Sequence, residues 1–176
     1  LQEFSELIEI PVYTTMPGKS SFDERHPLAL GSGSSSTSLQ ARRWLQESDV
    51  LFAVGSSMTR TGYGQPIPDG KVIIHNVETI EDINKDFSVD VGLPGDAKLT
   101  LQAMIAELKA QAGENRRKGK TAVAAEIKGI RDGWLAEWTP LLNSEDVPIN
   151  TYRVIGEIER NLDKENSIVT HDAGAP

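Results

Sequence analysis

The sequence predicts an α/β protein: a Rossmann-like, three-layer αβα domain with a parallel sheet, followed by a C-terminal helical extension. Three observations carry this. Strand-like and helix-like segments alternate along the chain, as in parallel-sheet folds. Residues 50–55 (VLFAVG) and 72–77 (VIIHNV) are nearly continuous apolar runs, the pattern of strands covered on both faces. The helix-like segments repeat apolar residues three and four apart, leaving one stripe to bury.

Residues 1–9 place Leu1, Phe4, Leu7 and Ile8 at helical spacing and read as the end of a helix. Residues 11–15 (PVYTT) are β-branched and aromatic between Pro11 and Pro17-Gly18, hence a strand. Residues 16–38 are rich in Gly, Ser and Pro and read as one long loop, which inside a compact domain points to binding or interface work. A helix capped by Ser36 or Ser38 is expected to run to about Ser48, burying Ala41, Trp44 and Leu45. Strand 50–55, a loop over 56–70, strand 72–77, a short polar stretch over 80–87 and a strand over 89–93 follow. Asp96 is the expected cap of a helix that buries Leu101, Met104, Ile105 and Leu108. Residues 111–120 turn polar and basic and read as a linker. Residues 121–138 resume a helical stripe of Val123, Ile127, Ile130, Trp134 and Trp138, with the two tryptophans as packing anchors. After a loop over 139–150, Asn150 or Thr151 caps a helix with Val154, Ile155, Ile158 and Leu162 inward. Residues 167–170 (SIVT) read as a final strand and 171–176 as its exit loop. Both ends interrupt a pattern, so the sequence reads as an excerpt.

Composition narrows the function. A net charge of -8 and a pI of about 4.9 argue against nucleic-acid binding and polybasic membrane contact. No apolar run approaches the roughly 20 residues of a membrane span. The chain has no cysteine, which excludes thiolate metal sites, disulfides and a thiol nucleophile, and fits a cytoplasmic, reducing location.

In a parallel sheet, ligands sit beyond the carboxyl ends of the strands, so residues 14–19, 55–62 and 76–80 are expected to share a rim. Gly31 opens a Gly-Ser-Gly-Ser-Ser-Ser stretch that partly mimics a dinucleotide fingerprint, with Ser36 where the third glycine belongs. It reads as a phosphate cradle or as an interface loop. Gly55 allows close backbone approach, the Ser56 hydroxyl can donate to a phosphate or ribose oxygen, and Arg60 can pair with phosphate. The other reading is a plain strand-exit turn with a solvated arginine. Glu78 stands where a nucleotide-binding sheet places a ribose acceptor, although strand alternation turns it from the face of Val77. His26, His75 and His171 are scattered without metal spacing. His171-Asp172 lacks the Gly-x-Ser-x-Gly elbow that would complete a hydrolase triad.

Four segments resemble, in order, the middle of thiamine-diphosphate enzymes of the acetolactate synthase, pyruvate oxidase and benzoylformate decarboxylase group. They are PVYTTMPGKSSFDERHPLALG (11–31), SDVLFAVGSSMT (48–59), KVIIHNVETIEDINKDFSVDVGLPGDAKLTLQAM (71–104) and INTYRVIGEIERNLDKENSIVTHDAG (149–174). The resemblance implies a central Rossmann-like domain over 1–110 whose first strand is missing. It further implies a linker with a helix over 111–150 and the start of the diphosphate-binding domain over 151–176. It implies a central domain that is not catalytic. His171, Asp172, Ala173 and Gly174 would line the diphosphate end of thiamine diphosphate, with Mg²⁺ and the activating acid held outside this sequence. Implied partners are the other domains of the same polypeptide, in a homodimer or homotetramer. Some relatives bind FAD or ADP in this domain, and Gly31, Gly55 and Ser56 match two of the three contacts. The acidic third departs, with Val77, Thr79 and Ile80 in its place. Three functions stay open: a structural spacer in an enzyme acting on 2-keto acids, an FAD- or ADP-binding module, and an autonomous nucleotide-binding domain.

Overall fold

The computed structural model describes residues 1–34, 36–111 and 120–170. The chain divides into two compact units, Leu1–Ile130 and Arg131–Pro176.

The first unit opens with helix α1 (Gln2–Ile8) and strand β1 (Val12–Thr15), followed by a 3-10 turn at Met16–Gly18 and strand β2 (Ala29–Gly33). Helix α2 (Leu39–Glu47), strands β3 (Val50–Val54), β4 (Val72–Val77) and β5 (Val91–Pro94), and helix α3 (Ala97–Ala110) complete the alternation. Helix α4 (Lys120–Leu142) begins in this unit. Every described strand pair is parallel, but the strands form two sheets, β1-β2 and β3-β4-β5. The fold is α/β, as the apolar runs imply.

Local sequence explains the helix starts. Ser38 accepts the Ala41 amide at 3.3 Å while its hydroxyl donates to the Leu30 carbonyl at 2.6 Å, so one residue caps α2 and ties it to β2. Asp96 accepts the Leu99 amide at 2.8 Å. Glu9, at φ 53, ends α1 in a left-handed C-cap two residues before Pro11.

Each sheet has its own core. Phe52 and Val54 of β3 lie with Phe4, Leu7 and Ile8 of α1 and Leu101, Met104, Ile105 and Leu108 of α3. Phe4 is 2% exposed, and its ring meets Phe52 edge-on at 5.7 Å. On the other sheet, Leu28 and Leu30 pack with Ala41 of α2 and with Val123 and Ile127 of α4.

Three expectations fail. On the helix that follows Asn150, Val154, Ile155 and Ile158, expected inward, are 40%, 42% and 44% exposed. The long loop over 16–38 contains β2, whose Ala-Leu-Gly-Ser-Gly sequence reads as loop because it lacks β-branched residues. Parallel pairing with β1, from Val12↔Ala29 to Thr15↔Gly33, makes it a strand. Residues 167–170 form no strand. No described strand pairs with them, and Ile168 and Val169 stay 95% and 56% exposed; strand-forming side chains do not make a strand without a neighbour.

In the second unit, α4 ends and helix α5 (Thr151–Asn161) follows, capped by Asn150, which accepts the Tyr152 amide at 2.9 Å. A Cβ on Gly156 would come within 2.5 Å of the Leu142 carbonyl oxygen, so glycine is required for this approach of α5 to the end of α4. Arg153 donates to the Ser144 carbonyl and Arg160 to the Asn143 side chain, and Glu157 orients both arginines. Hydrogen bonds from Arg160, then Arg153, hold the Glu157 carboxyl at about 2, below its ordinary 4.5. A depressed carboxyl stabilises the fold fully above its unfolded value, and that contribution fades as pH falls through the folded value. Glu157→Gln is therefore expected to lower helical content of α5 near neutral pH and to match the wild type near pH 2. Circular dichroism of both proteins between those limits checks it; a gap that persists at acid pH refutes it.

Candidate functional site

The strand exits are built by backbone geometry. Gly55 ends β3 at φ 62, and its amide donates to the Asn76 carbonyl at 2.9 Å. That left-handed turn needs glycine and leads the chain into Ser56. The Ser56 carbonyl meets His75 Nε2 at 2.6 Å, and its hydroxyl oxygen accepts the Met58 amide at 3.2 Å. Gly55, Ser56, His75 and Asn76 thus come together at the β3–β4 exit.

His75 and Asn76 are both fully buried. Asn76 Nδ2 donates to the Leu93 and Gly95 carbonyls at 2.9 and 3.0 Å and to the Thr100 hydroxyl at 3.2 Å, locking β4 to β5 and to the start of α3. Among the described residues, His75 Nδ1 and Asn76 Oδ1 have no hydrogen-bond partner. Sequence reasoning missed the structural role of this pair; the signal was two polar residues inside an otherwise apolar strand.

The remaining candidates are spread out. Glu78 is exposed just past β4. Gly31 sits within β2, in the other sheet, paired with Tyr13 and facing Ser38. It is not at a strand exit. Gly33 is, and a Cβ there would lie 2.7 Å from the Ser36 carbonyl oxygen. Gln65, in the loop after β3, donates to the Ser34 carbonyl at 2.7 Å and links the exits of the two sheets. Arg60 places its guanidinium 4.6 Å from the centre of the Phe87 ring, and its backbone amide donates to Asp86. His171, Asp172, Ala173 and Gly174 lie outside the described residues.

In the loop that connects β1 to β2 an open depression of ≈ 470 Å³ is lined by Lys19, Ser20, Phe22, Asp23, Glu24 and Arg25. Its charges pair internally. Lys19 meets Glu24 at 2.5 Å, and Arg25 grips Asp23. The Arg25 hydrogen bonds hold the Asp23 carboxyl at about 2, and Lys19 lowers that of Glu24. Neither acid exchanges a proton near neutral pH. Next to it, His26 Nδ1 accepts the Leu28 amide at 3.2 Å while Nε2 faces Glu6 at 3.0 Å, so His26 braces the loop against α1. Neither described histidine hydrogen-bonds a side-chain hydroxyl, the contact that would activate a serine or threonine. Among the described residues no three His, Asp or Glu side chains gather at metal-binding distance, and no helix is long and apolar enough to cross a membrane. The arrangement holds strands and loops in place.

Residues 1–104 match the family model described as the central domain of thiamine pyrophosphate enzymes. The chain is 31% identical over 182 residues to a probable acetolactate synthase large subunit of Methanococcus aeolicus, covering 99% of this chain and 30% of that protein. A second probable acetolactate synthase large subunit, from Methanocaldococcus jannaschii, is 31% identical over 191 residues, covering 99% of this chain and 29% of its own length. Pyruvate oxidase of Lactiplantibacillus plantarum is 21% identical over 174 residues, covering 99% of this chain and 28% of the oxidase. The chain therefore spans about three-tenths of the length of these relatives.

Proposed function

Because this chain belongs to the thiamine pyrophosphate enzyme central-domain family, we propose that it serves its whole protein as a non-catalytic spacer and oligomer contact. The whole protein is then an acetolactate synthase-like carboligase or decarboxylase acting on 2-keto acids. The observation that carries this is the central-domain match over residues 1–104 on a parallel α/β unit whose polar side chains brace the fold. Thiamine diphosphate supplies the electron sink for such chemistry. Within this reading, His171 to Gly174 lie toward its diphosphate, and Mg²⁺ is held by other parts of the protein. The same reading takes the whole protein to be a cytoplasmic homodimer or homotetramer. Domain limits of 1–110, 111–150 and 151–176 belong to the same reading. The split sheet supports a further strand completing it: β1 and β3 each have one neighbour, and β3 carries no charge to guard its free edge.

The spacer reading is favoured over an FAD- or ADP-binding module by how the candidate contacts are used. The Ser56 hydroxyl oxygen already takes an amide, Arg60 lies on Phe87, and Val77 is buried where the family's acid would stand.

Thermal denaturation with FAD, ADP, CoA and NAD tests this. A ligand at a hundred times its dissociation constant stabilises a folded domain by about 2.7 kcal/mol, which raises the melting temperature by several degrees. The spacer reading expects no shift with any of the four. A saturable shift with FAD or ADP would replace it with the binding-module reading. Turnover of a keto acid by this chain with thiamine diphosphate and Mg²⁺ would overturn it altogether.

A further inference from the structure

Asp-Gly occurs twice in the sequence, as Asp69-Gly70 and Asp132-Gly133. In such a pair the aspartate carboxyl can close a five-membered ring onto the backbone nitrogen that follows. Glycine leaves that nitrogen unshielded, because it has no Cβ. The fold treats the two pairs differently. Asp132-Gly133 lies inside α4, where the helical ladder directs the Gly133 amide at a carbonyl four residues back. Asp69-Gly70 is the centre of a Pro-Asp-Gly turn that leads into β4.

Three features of this turn favour ring closure. Asp69 and Gly70 are both exposed, so water reaches them. Gly70 stands at φ 83, the left-handed turn position, and a Cβ built there would meet nothing within 4 Å. The space beside its backbone is open. Among the described residues, no hydrogen bond or ion pair engages the Asp69 carboxyl or the Gly70 amide. Neither reacting group has to give up a partner.

We propose that the fold makes Asp69 a site of spontaneous isomerisation to isoaspartate while protecting Asp132. The Gly70 nitrogen attacks Cγ of the Asp69 carboxylic acid. The N–Cγ bond forms, the Cγ–OH bond breaks, and the hydroxyl leaves as water with the amide proton. Water then adds to one of the two carbonyls of the resulting succinimide. Breaking N–Cγ restores aspartate. Breaking the bond from nitrogen to the former backbone carbonyl instead routes the main chain through the side chain and leaves a free carboxylate on Cα. The water released in the first step is consumed in the second, so no oxidant or other reactant is needed. The product lengthens the main chain by one methylene directly ahead of Lys71. The Lys71 Nζ donates to the Gln46 carbonyl and to the Ser48 hydroxyl, each at 3.3 Å. Isomerisation therefore slackens the tie between the end of α2 and the start of β4.

The test is prolonged warm incubation of the full chain in heavy-oxygen water at mildly acidic pH, then proteolysis in ordinary water and mass spectrometry. Each passage through the succinimide leaves a heavy oxygen on the residue, and electron-based fragmentation separates isoaspartate from aspartate. Label and isoaspartate should accumulate at residue 69 several-fold faster than at residue 132 in the folded chain. Urea should bring the two rates together, because only the helix separates them. Gly70→Ala should slow labelling at residue 69 several-fold, whereas Gly133→Ala should leave it unchanged. Equal labelling of the two residues in the folded chain would overturn the proposal. So would label at residue 69 without isoaspartate, or no label there at all.

Discussion

Phe4→Ala is expected to cost the first unit about 3–5 kcal/mol, the range for deleting a buried aromatic ring. Phe4 is 2% exposed and sits where α1, α3 and β3 meet. Truncation removes the ring's apolar burial, its edge contact with Phe52 and the filler between two helices, and helices held at both ends of the cavity collapse into it poorly. Domains of this size hold about 5–15 kcal/mol in all, so the loss takes about a fifth of the stability of the unit at the least and nearly all of it at the most. Native-state hydrogen exchange is the proper measure, because two units need not unfold together. Amides of α1 and α3 should lose protection together, while those of α5 keep theirs. Phe4→Leu, which refills most of the volume, should recover much of the loss. Protection unchanged in α3 would show that Phe4 does not join the two helices.

Ile127→Ala is the second large effect, about 2–5 kcal/mol. Ile127 is 1% exposed and contacts the cluster of Leu28, Leu30 and Ala41. It is the deepest residue through which α4 covers the β1-β2 sheet, so its loss frees the first turns of α4 as well as opening a cavity. Trp44, half-buried against the same cluster, is the reporter. In a Trp134→Phe/Trp138→Phe background it is the one tryptophan left of three. Its emission should shift to longer wavelength in the Ile127→Ala protein, alongside a lower urea midpoint. An unshifted spectrum with an unchanged midpoint would mean that α4 is not part of this core.

What was legible in the sequence was local. Ser38, Asp96 and Asn150 begin their helices because a short polar side chain reaches an amide two or three residues on, a contact sequence alone specifies. The apolar runs of β3 and β4 and the stripe of α3 were equally plain. The candidate site was read less well. Gly55 and Ser56 do meet β4 at a strand exit, because a glycine after a buried strand has one geometric use there. Gly31 does not stand at an exit, because the loop supposed to hold it is a strand. Arg60 was assigned to solvent or phosphate, and its partner, the ring of Phe87, lies 27 residues away in sequence, beyond the reach of any local pattern.

By itself the sequence determined the class: parallel strands with covering helices, an acidic cysteine-free surface, and the ordered segments that mark the thiamine pyrophosphate enzyme central domain. Only the tertiary structure decided which strands pair. Ala29–Gly33 became a strand because β1 offered backbone partners, and residues 167–170 stayed single because no described strand did. Helix caps and apolar stripes are written in residues a turn apart, whereas strand pairing and buried polar contacts such as Asn76 with Thr100 depend on segments that only folding brings together.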